Sequence, residues 1–93
     1  MQAATKMHKY STDGHLAGVS AYKIDGHSIT VLFNEGWVYL YDEEKPGLHH
    51  VRKMQELAKQ GSGLSTYISR YVRENYHRKW RQKSGQTTQY RPL

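Results

Sequence analysis

The sequence predicts an α+β fold, in which a three-stranded antiparallel meander is followed by two α-helices packed on one face. Two observations support this. Three short segments rich in β-branched and aromatic residues follow one another between residues 19 and 41, and two segments with helical spacing of apolar residues come after them. Because the helices follow the strands instead of alternating with them, the strands are expected to pair as antiparallel neighbours. A chain of 93 residues has room for about one domain.

The predicted strands are Val19–Ile24, Ser28–Phe33 and Trp37–Tyr41, separated by the glycine-containing loops 25–27 and 34–36. A three-residue loop at 34–36 would place six apolar and aromatic residues on one face of the sheet. These are Ile29, Val31, Phe33, Trp37, Tyr39 and Tyr41. We interpret this face as the core and not as a base-stacking platform, because the helices need it to bury their apolar stripes. Trp37 is expected to be partly exposed at its edge.

The opposite face of the sheet also carries apolar residues, Leu32, Val38 and Leu40, where a sheet with one wet side has polar ones. Two interpretations are open. The stripe is covered by the N-terminal segment or a helix, or it is a surface for self-association or for a protein partner.

Two helices are predicted after the strands. Pro46 and Gly47 precede the first, which carries apolar residues at helical spacing and ends at Gly61. Its apolar residues are Val51, Met54, Leu57 and Ala58. The second is predicted from about Gly63 to Tyr76, and it can continue through residues 78–81. Its buried stripe is predicted to be Leu64, Tyr67, Ile68, Tyr71 and Val72.

Composition sets the expected boundaries and location. Residues 1–18 are polar and are predicted to be a partly ordered N-terminal segment, residues 19–83 a single domain, and residues 84–93 a C-terminal tail. The sequence contains no cysteine, no apolar run long enough to span a bilayer and no apolar block typical of a signal peptide. We therefore expect a soluble cytoplasmic protein without a membrane partner.

Positive charge is concentrated in the second half of the chain. Residues 1–47 carry four Lys or Arg against six Asp or Glu, whereas residues 48–93 carry ten against two. Six cations fall within residues 70–83, interleaved with aromatic and histidine side chains. The predicted nucleic-acid-binding residues are Arg70, Arg73, Tyr76, His77, Arg78, Lys79, Trp80, Arg81 and Lys83. Solvation of a helix face is the alternative, but it does not call for large aromatic residues.

The spacing of these residues suggests how they bind. On a continuing helix, Arg70, Arg73, His77 and Arg81 would align on one ridge, with Tyr76 and Trp80 free to stack on bases. Nothing in the sequence resembles a motif for base-specific readout. The prediction is therefore backbone-dominated, salt-sensitive binding of RNA or DNA. With roughly four to six phosphates engaged on a duplex, log K falls against log salt with a slope of about −4 to −5.

The six histidines suggest metal binding or catalysis, and we predict neither. No histidine pair has the spacing of a helical zinc site, so no metal or other cofactor is expected. A small basic ribonuclease could use His49, His50, His77 or Tyr76, but no partner group is fixed relative to them by the sequence. We therefore predict a non-enzymatic protein.

The alternative function is a protein-interaction module that docks on a partner, or on a second copy, through Leu32, Val38 and Leu40 or through the basic ridge.

A longer pattern runs through the strands and helices. It consists of a tyrosine, an apolar-x-apolar-x-Phe strand, a glycine and a Tyr-x-Tyr strand. The residues of this chain at those positions are Tyr22, Ile29, Val31, Phe33, Gly36, Tyr39 and Tyr41. Later positions of the pattern are occupied by Pro46, Gly61, Leu64, Ile68 and Tyr76. In these residues the segment Val19–Tyr76 resembles a KTSC domain, a family of small bacterial and phage proteins named for the C-terminus of some lysyl-tRNA synthetases. The resemblance implies a nucleic-acid-associated role in a bacterial or phage-infected cell. The chain departs from the family at 63–65, where Gly-Leu-Ser replaces Tyr-Phe-Asn, and at the apolar stripe of the outer sheet face.

Overall fold

The computed structural model describes residues 7–10 and 18–81, which form one five-stranded antiparallel sheet and two helices. In chain order the elements are β1 (His8–Lys9), β2 (Val19–Asp25), β3 (Ser28–Phe33), β4 (Trp37–Tyr41), α1 (Leu48–Gln60), α2 (Leu64–Tyr67) continued by a π-helical turn (Ile68–Val72), and β5 (Arg78–Arg81). The strands lie in the sheet in their chain order. The α+β class is confirmed, but the sheet has five strands and not the predicted three.

The meander β2–β3–β4 has the register that the alternation of residues predicted. Ile29 pairs with Tyr41, and Val31 pairs with Tyr39. The β3–β4 loop closes through the Gly36 N–H, which donates to the Phe33 carbonyl at 2.9 Å, and Gly36 has a φ of 100° that favours glycine. Because the side chains of a strand alternate between faces, this register places the predicted aromatic and aliphatic set on one side of the sheet.

The two additional strands lie at the edges of the sheet. β1 pairs with β2 through His8–Tyr22 and Lys9–Ala21, so part of the predicted N-terminal segment 1–18 belongs to the fold. β5 pairs with β4, from Arg78 opposite Leu40 to Arg81 opposite Trp37. The remaining residues of the N-terminal segment, 1–6 and 11–17, and the predicted tail 84–93 lie outside the described residues.

The core forms between the helices and the face of the sheet that carries Ile29, Val31 and Tyr41. α1 contributes Val51, Met54 and Ala58, all at most 2% exposed. Leu57, also predicted for this face, packs against the core while partly exposed. Full burial of a side chain such as Val51 or Met54 stabilises the fold by about 1.5–3 kcal/mol. The predicted core packing of Phe33, Tyr39 and Tyr41 is confirmed, and Trp37, the first residue of β4, is half-buried.

Two buried polar contacts join the sheet to the helices. Gln55 is 6% exposed, and its Nε2 donates to the carbonyls of Gly26 and Ser28 at 2.8 and 3.1 Å, which fastens α1 to the β2–β3 turn. Tyr10, 1% exposed, lies in the core just after β1, and its hydroxyl accepts the N–H of Leu64 at 3.1 Å. This hydrogen bond satisfies one of the free N–H groups at the start of α2.

The second helix is shorter than predicted. Leu64, Ile68 and Val72 are buried as expected, but Tyr71 is 60% exposed, so its assignment to the core was wrong. The helix ends at Val72 because Arg73 adopts a left-handed backbone, with φ 50° and ψ −114°, and its N–H donates to the Ile68 carbonyl at 2.6 Å. The Asn75 N–H donates to the Val72 carbonyl at 2.9 Å, which closes a turn that sends the chain back towards the sheet.

Candidate nucleic-acid interface

The structure places the predicted nucleic-acid-binding residues on three consecutive segments. Arg70 lies in the π-helical turn, Arg73 in the turn that follows it, and 78–81 form β5. The predicted ridge on a continuing helix is wrong, because pairing of β5 with β4 outweighs the helical tendency of this segment. The side chains of Arg70, Arg73 and every residue of β5 are exposed. Lys83 lies outside the described residues.

β5 presents two different faces. Lys79 pairs with Tyr39 and Arg81 with Trp37, so these cations lie on the helix side of the sheet. Arg78 pairs with Leu40 and Trp80 with Val38, so these two side chains lie on the outer face. The edge strand therefore carries positive charge on both faces, which is also the composition that discourages strand addition to an edge.

On the helix side, aromatic rings hold two of the cations. The Lys79 Nζ lies 4.9 Å from the centroid of the Trp37 ring, 5.8 Å from that of Tyr39 and 5.7 Å from that of Tyr76. The Arg81 guanidinium lies 5.2 Å from the Trp37 ring and donates to the Glu35 carbonyl at 3.1 Å. Each exposed cation–π contact stabilises by about 0.5–1 kcal/mol. These contacts hold both charges on the helix side of the sheet, over rings of β4 and, for Lys79, of Tyr76.

The aromatic residues divide differently from the prediction. Tyr76, expected to be free for a ligand, is half-buried and packs edge-on against Tyr39, with ring centroids 5.0 Å apart. Trp80 is 42% exposed and keeps the accessible ring that base stacking needs. Trp37 and Tyr39, which hold these cations, were not among the binding residues predicted from the sequence. The signal was Lys79-x-Arg81 opposite Trp37-x-Tyr39, which is visible only if residues 78–81 are read as a strand.

His77 is engaged by acidic groups. Its Nδ1 lies 3.2 Å from the Asp42 carboxylate and 3.6 Å from that of Glu44, and its backbone N–H donates to the Leu40 carbonyl at 2.8 Å. Its predicted role as a phosphate contact is therefore disfavoured by its acidic neighbours. The nearest ligand atoms of Asp42, Glu44 and His77 lie within 4.8 Å of one another, so these residues could hold a cation. The absence of a metal site stays a prediction.

The other ribonuclease candidates make separate contacts. His50 Nδ1 lies 2.6 Å from the Tyr67 hydroxyl, and its ring contacts that of His49 at the start of α1. Burial raises the pKa of Tyr67, with a smaller contribution from Tyr71, so the phenol stays protonated at neutral pH. Within residues 7–10 and 18–81, these contacts involve neither His77 nor Tyr76, which precede β5.

A cleft opens between β4 and the π-helical turn. Its volume is about 370 Å³, and it is lined by Phe33, Glu35, Tyr39, Tyr41, Ile68, Ser69, Arg73 and Glu74. Tyr39 also lies beneath Lys79, so the cleft adjoins the cations of β5. Burial raises the pKa of Tyr41 far above its ordinary value, with smaller contributions from Tyr39 and Tyr76, so this wall of the cleft stays neutral.

The apolar stripe on the outer face contains more residues than predicted, but one of the predicted residues is buried. The register aligns Ala21, Leu32, Val38 and Trp80 in one row across the sheet. Val38 is only 1% exposed, which leaves it little area for a partner, whereas Leu32 and Leu40 are half-buried. Within residues 7–10 and 18–81, β1 extends the sheet and both helices pack on the opposite face, so neither β1 nor a helix lies over the stripe.

Comparisons with known proteins add no relative. Neither a family model, nor a curated protein, nor a solved structure matches the chain. The resemblance to a KTSC domain therefore stays a prediction. In the described part of the chain, neither helix has the length and apolar character needed to cross a membrane.

Proposed function

We propose that this protein is a small non-enzymatic module that binds RNA or DNA mainly through the phosphate backbone, using β5 and the turn before it. The observation that carries the proposal is the exposed edge strand with Arg78, Lys79 and Arg81. Lys79 and Arg81 lie over the Trp37 ring. The cations of β5 lie on both faces of the edge strand, where phosphate oxygens are attracted to them, and Trp80 supplies a ring on the outer face on which a base can stack.

The distribution of charge gives the surface a direction. Arg70 and Arg73 are also exposed, and Arg73 lines the cleft beside β5, whereas Asp42 and Glu44 lie beside His77, which precedes Arg78. Like charges repel, so these carboxylates disfavour phosphates beyond Arg78. A bound strand would follow β5 from Arg78 towards Arg81.

A matched pair of charge reversals tests this function. We expect Arg78→Glu combined with Arg81→Glu to weaken binding of a labelled single-stranded oligonucleotide by about a hundredfold, because each lost phosphate contact and each new repulsion adds to the loss. The control is Arg52→Glu combined with Lys59→Glu, which makes the same charge change on exposed positions of α1. Equal losses in the two double variants would show that net charge, and not β5, governs binding.

We further propose that the chain is a KTSC-like domain that acts in the cytoplasm of a bacterial or phage-infected cell. What supports the family assignment is that the matching residues Ile29, Val31, Tyr39 and Tyr41 face one another in the core. A sequence relative that joins this pattern to a characterised KTSC domain would test it.

A second candidate function, association with a protein partner or a second copy through the outer sheet face, is favoured by the exposed Trp80 in line with Leu32. The change Leu32→Ser combined with Leu40→Ser would then abolish association seen by light scattering. A wild-type protein that is monomeric at high concentration contradicts the homodimer.

A further inference from the structure

We infer that the cleft between β4 and the π-helical turn receives one unpaired base of a single-stranded nucleic acid whose phosphates lie on β5. This inference rests on the proposed function and adds the class of ligand, a single strand in preference to a duplex.

The cleft lies where such a base would arrive. It shares Tyr39 with the Lys79 contact, and it shares Glu35 with Arg81, whose guanidinium donates to the Glu35 carbonyl. A phosphate held by either cation therefore has its neighbouring base beside the cleft. The volume of about 370 Å³ falls within the range of small-molecule sites, about 300–1,000 Å³.

The walls of the cleft suit a flat ring. Phe33 and Tyr39, both half-buried, form an aromatic side and lie edge-on at 5.1 Å. Tyr41 also lines the cleft and stacks on Tyr39 at 6.2 Å, but it is only 1% exposed. Ile68 supplies an apolar wall on the helix side. Because base–aromatic contacts are worth about 1–3 kcal/mol per base and duplex bases are not available for them, the cleft favours a single strand.

The polar groups at the cleft select the chemistry of its occupant. Arg73 donates hydrogen bonds, Glu35 and Glu74 accept them, and Ser69 does both. A phosphate or carboxylate inside the cleft would meet two carboxylates, so the occupant is neutral and carries donors as well as acceptors. Among the bases, guanine matches best, since its O6 and N7 accept from arginine and its N2 amino group donates to a carboxylate.

The backbone of Arg73 gives independent support. Its φ of 50° and ψ of −114° are those of the first central residue of a type II′ turn, a position that glycine favours. A strained backbone at the rim of a cleft is a recurring feature of ligand sites. Arg73 is exposed and lines this cleft, so its side chain is available to an occupant.

The experiment compares labelled strands of about 12 nucleotides, a length typical of single-strand sites, by fluorescence anisotropy. One strand carries guanine bases and the other has the same backbone without bases. We expect the guanine strand to bind about tenfold more tightly. Ser69→Phe, which fills the cleft from an exposed position, should remove that advantage and leave binding of the baseless strand unchanged. The control is Thr66→Phe, an exposed position of α2 that does not line the cleft.

The outcomes separate this inference from the proposed function. If neither strand binds, the proposed function fails and the inference fails with it. If both strands bind equally, or if Ser69→Phe keeps the preference for guanine, the function survives and the cleft is not the base site. A second measurement needs no variant: guanosine monophosphate, compared with ribose 5-phosphate, should shift the backbone amide resonances of Ser69 and Arg73. Equal shifts with both probes would overturn the inference.

Discussion

The turn that ends the second helix predicts a substitution that stabilises the protein while weakening its function. Arg73 has a left-handed backbone, with φ 50° and ψ −114°, which costs a non-glycine residue about 1–3 kcal/mol. In Arg73→Gly this strain disappears, but the freer glycine costs about 0.5–1 kcal/mol of chain entropy. The net expectation is that the free energy of unfolding rises by about 0–2.5 kcal/mol. In a domain of this size, each kcal/mol raises the melting temperature by about 4–8 °C.

The assay is urea unfolding followed by circular dichroism, with nucleic-acid binding measured on the same samples. The matched control is Arg70→Gly, which removes the same side chain from an exposed position inside the π-helical turn. There glycine should lower the free energy of unfolding by about 1 kcal/mol. Both variants should bind nucleic acid more weakly. If Arg73→Gly is as destabilising as Arg70→Gly, the strain at Arg73 does not exist and this reasoning fails.

Three further predictions concern the buried polar groups. Tyr10→Phe leaves the Leu64 N–H without its acceptor and should lower the free energy of unfolding in urea by about 1–3 kcal/mol; an unchanged value would contradict the bond between the N-terminal segment and α2. Gln55→Glu places a carboxylate against the two carbonyls to which Nε2 donates, and it should lower the free energy of unfolding by at least the same amount. Gln60→Glu, at an exposed position, should change that free energy little. Burial raises the pKa of Tyr41 in the folded state, so the folded protein keeps this phenol neutral. The contribution of Tyr41 to the free energy of unfolding is therefore fully present below about pH 10 and falls above it by about 1.4 kcal/mol per pH unit. Tyr41→Phe should flatten that alkaline decline, and an equally steep decline in the variant would contradict the assignment.

The parts of the fold that the sequence predicted are those with local signals. In β3 and β4, apolar and aromatic residues alternate around a short loop with a glycine, which was enough to pair Ile29 with Tyr41. α1 shows its apolar stripe and its terminal Gly61, which has the left-handed conformation of a helix cap.

The missed parts depend on contacts between distant segments. Residues 78–81 contain no β-branched residue and follow a helix, and only their pairing with β4 makes them a strand. Tyr10 lies in a polar stretch whose sequence gives no sign that its hydroxyl reaches Leu64. At the candidate site, the cations were predicted from charge alone, whereas the rings of Trp37 and Tyr39 that hold them became evident from the register of β5.

The salt dependence of binding tests the central claim most directly. Five exposed cations, Arg70, Arg73, Arg78, Lys79 and Arg81, line the surface. With a contribution of about 0.7 each on a single strand, log K should fall against log salt with a slope of about −3.5. Arg78→Gln combined with Arg81→Gln should reduce the steepness by about 1.4. A slope near zero in the wild type, or the same slope in both proteins, would contradict nucleic-acid binding through β5.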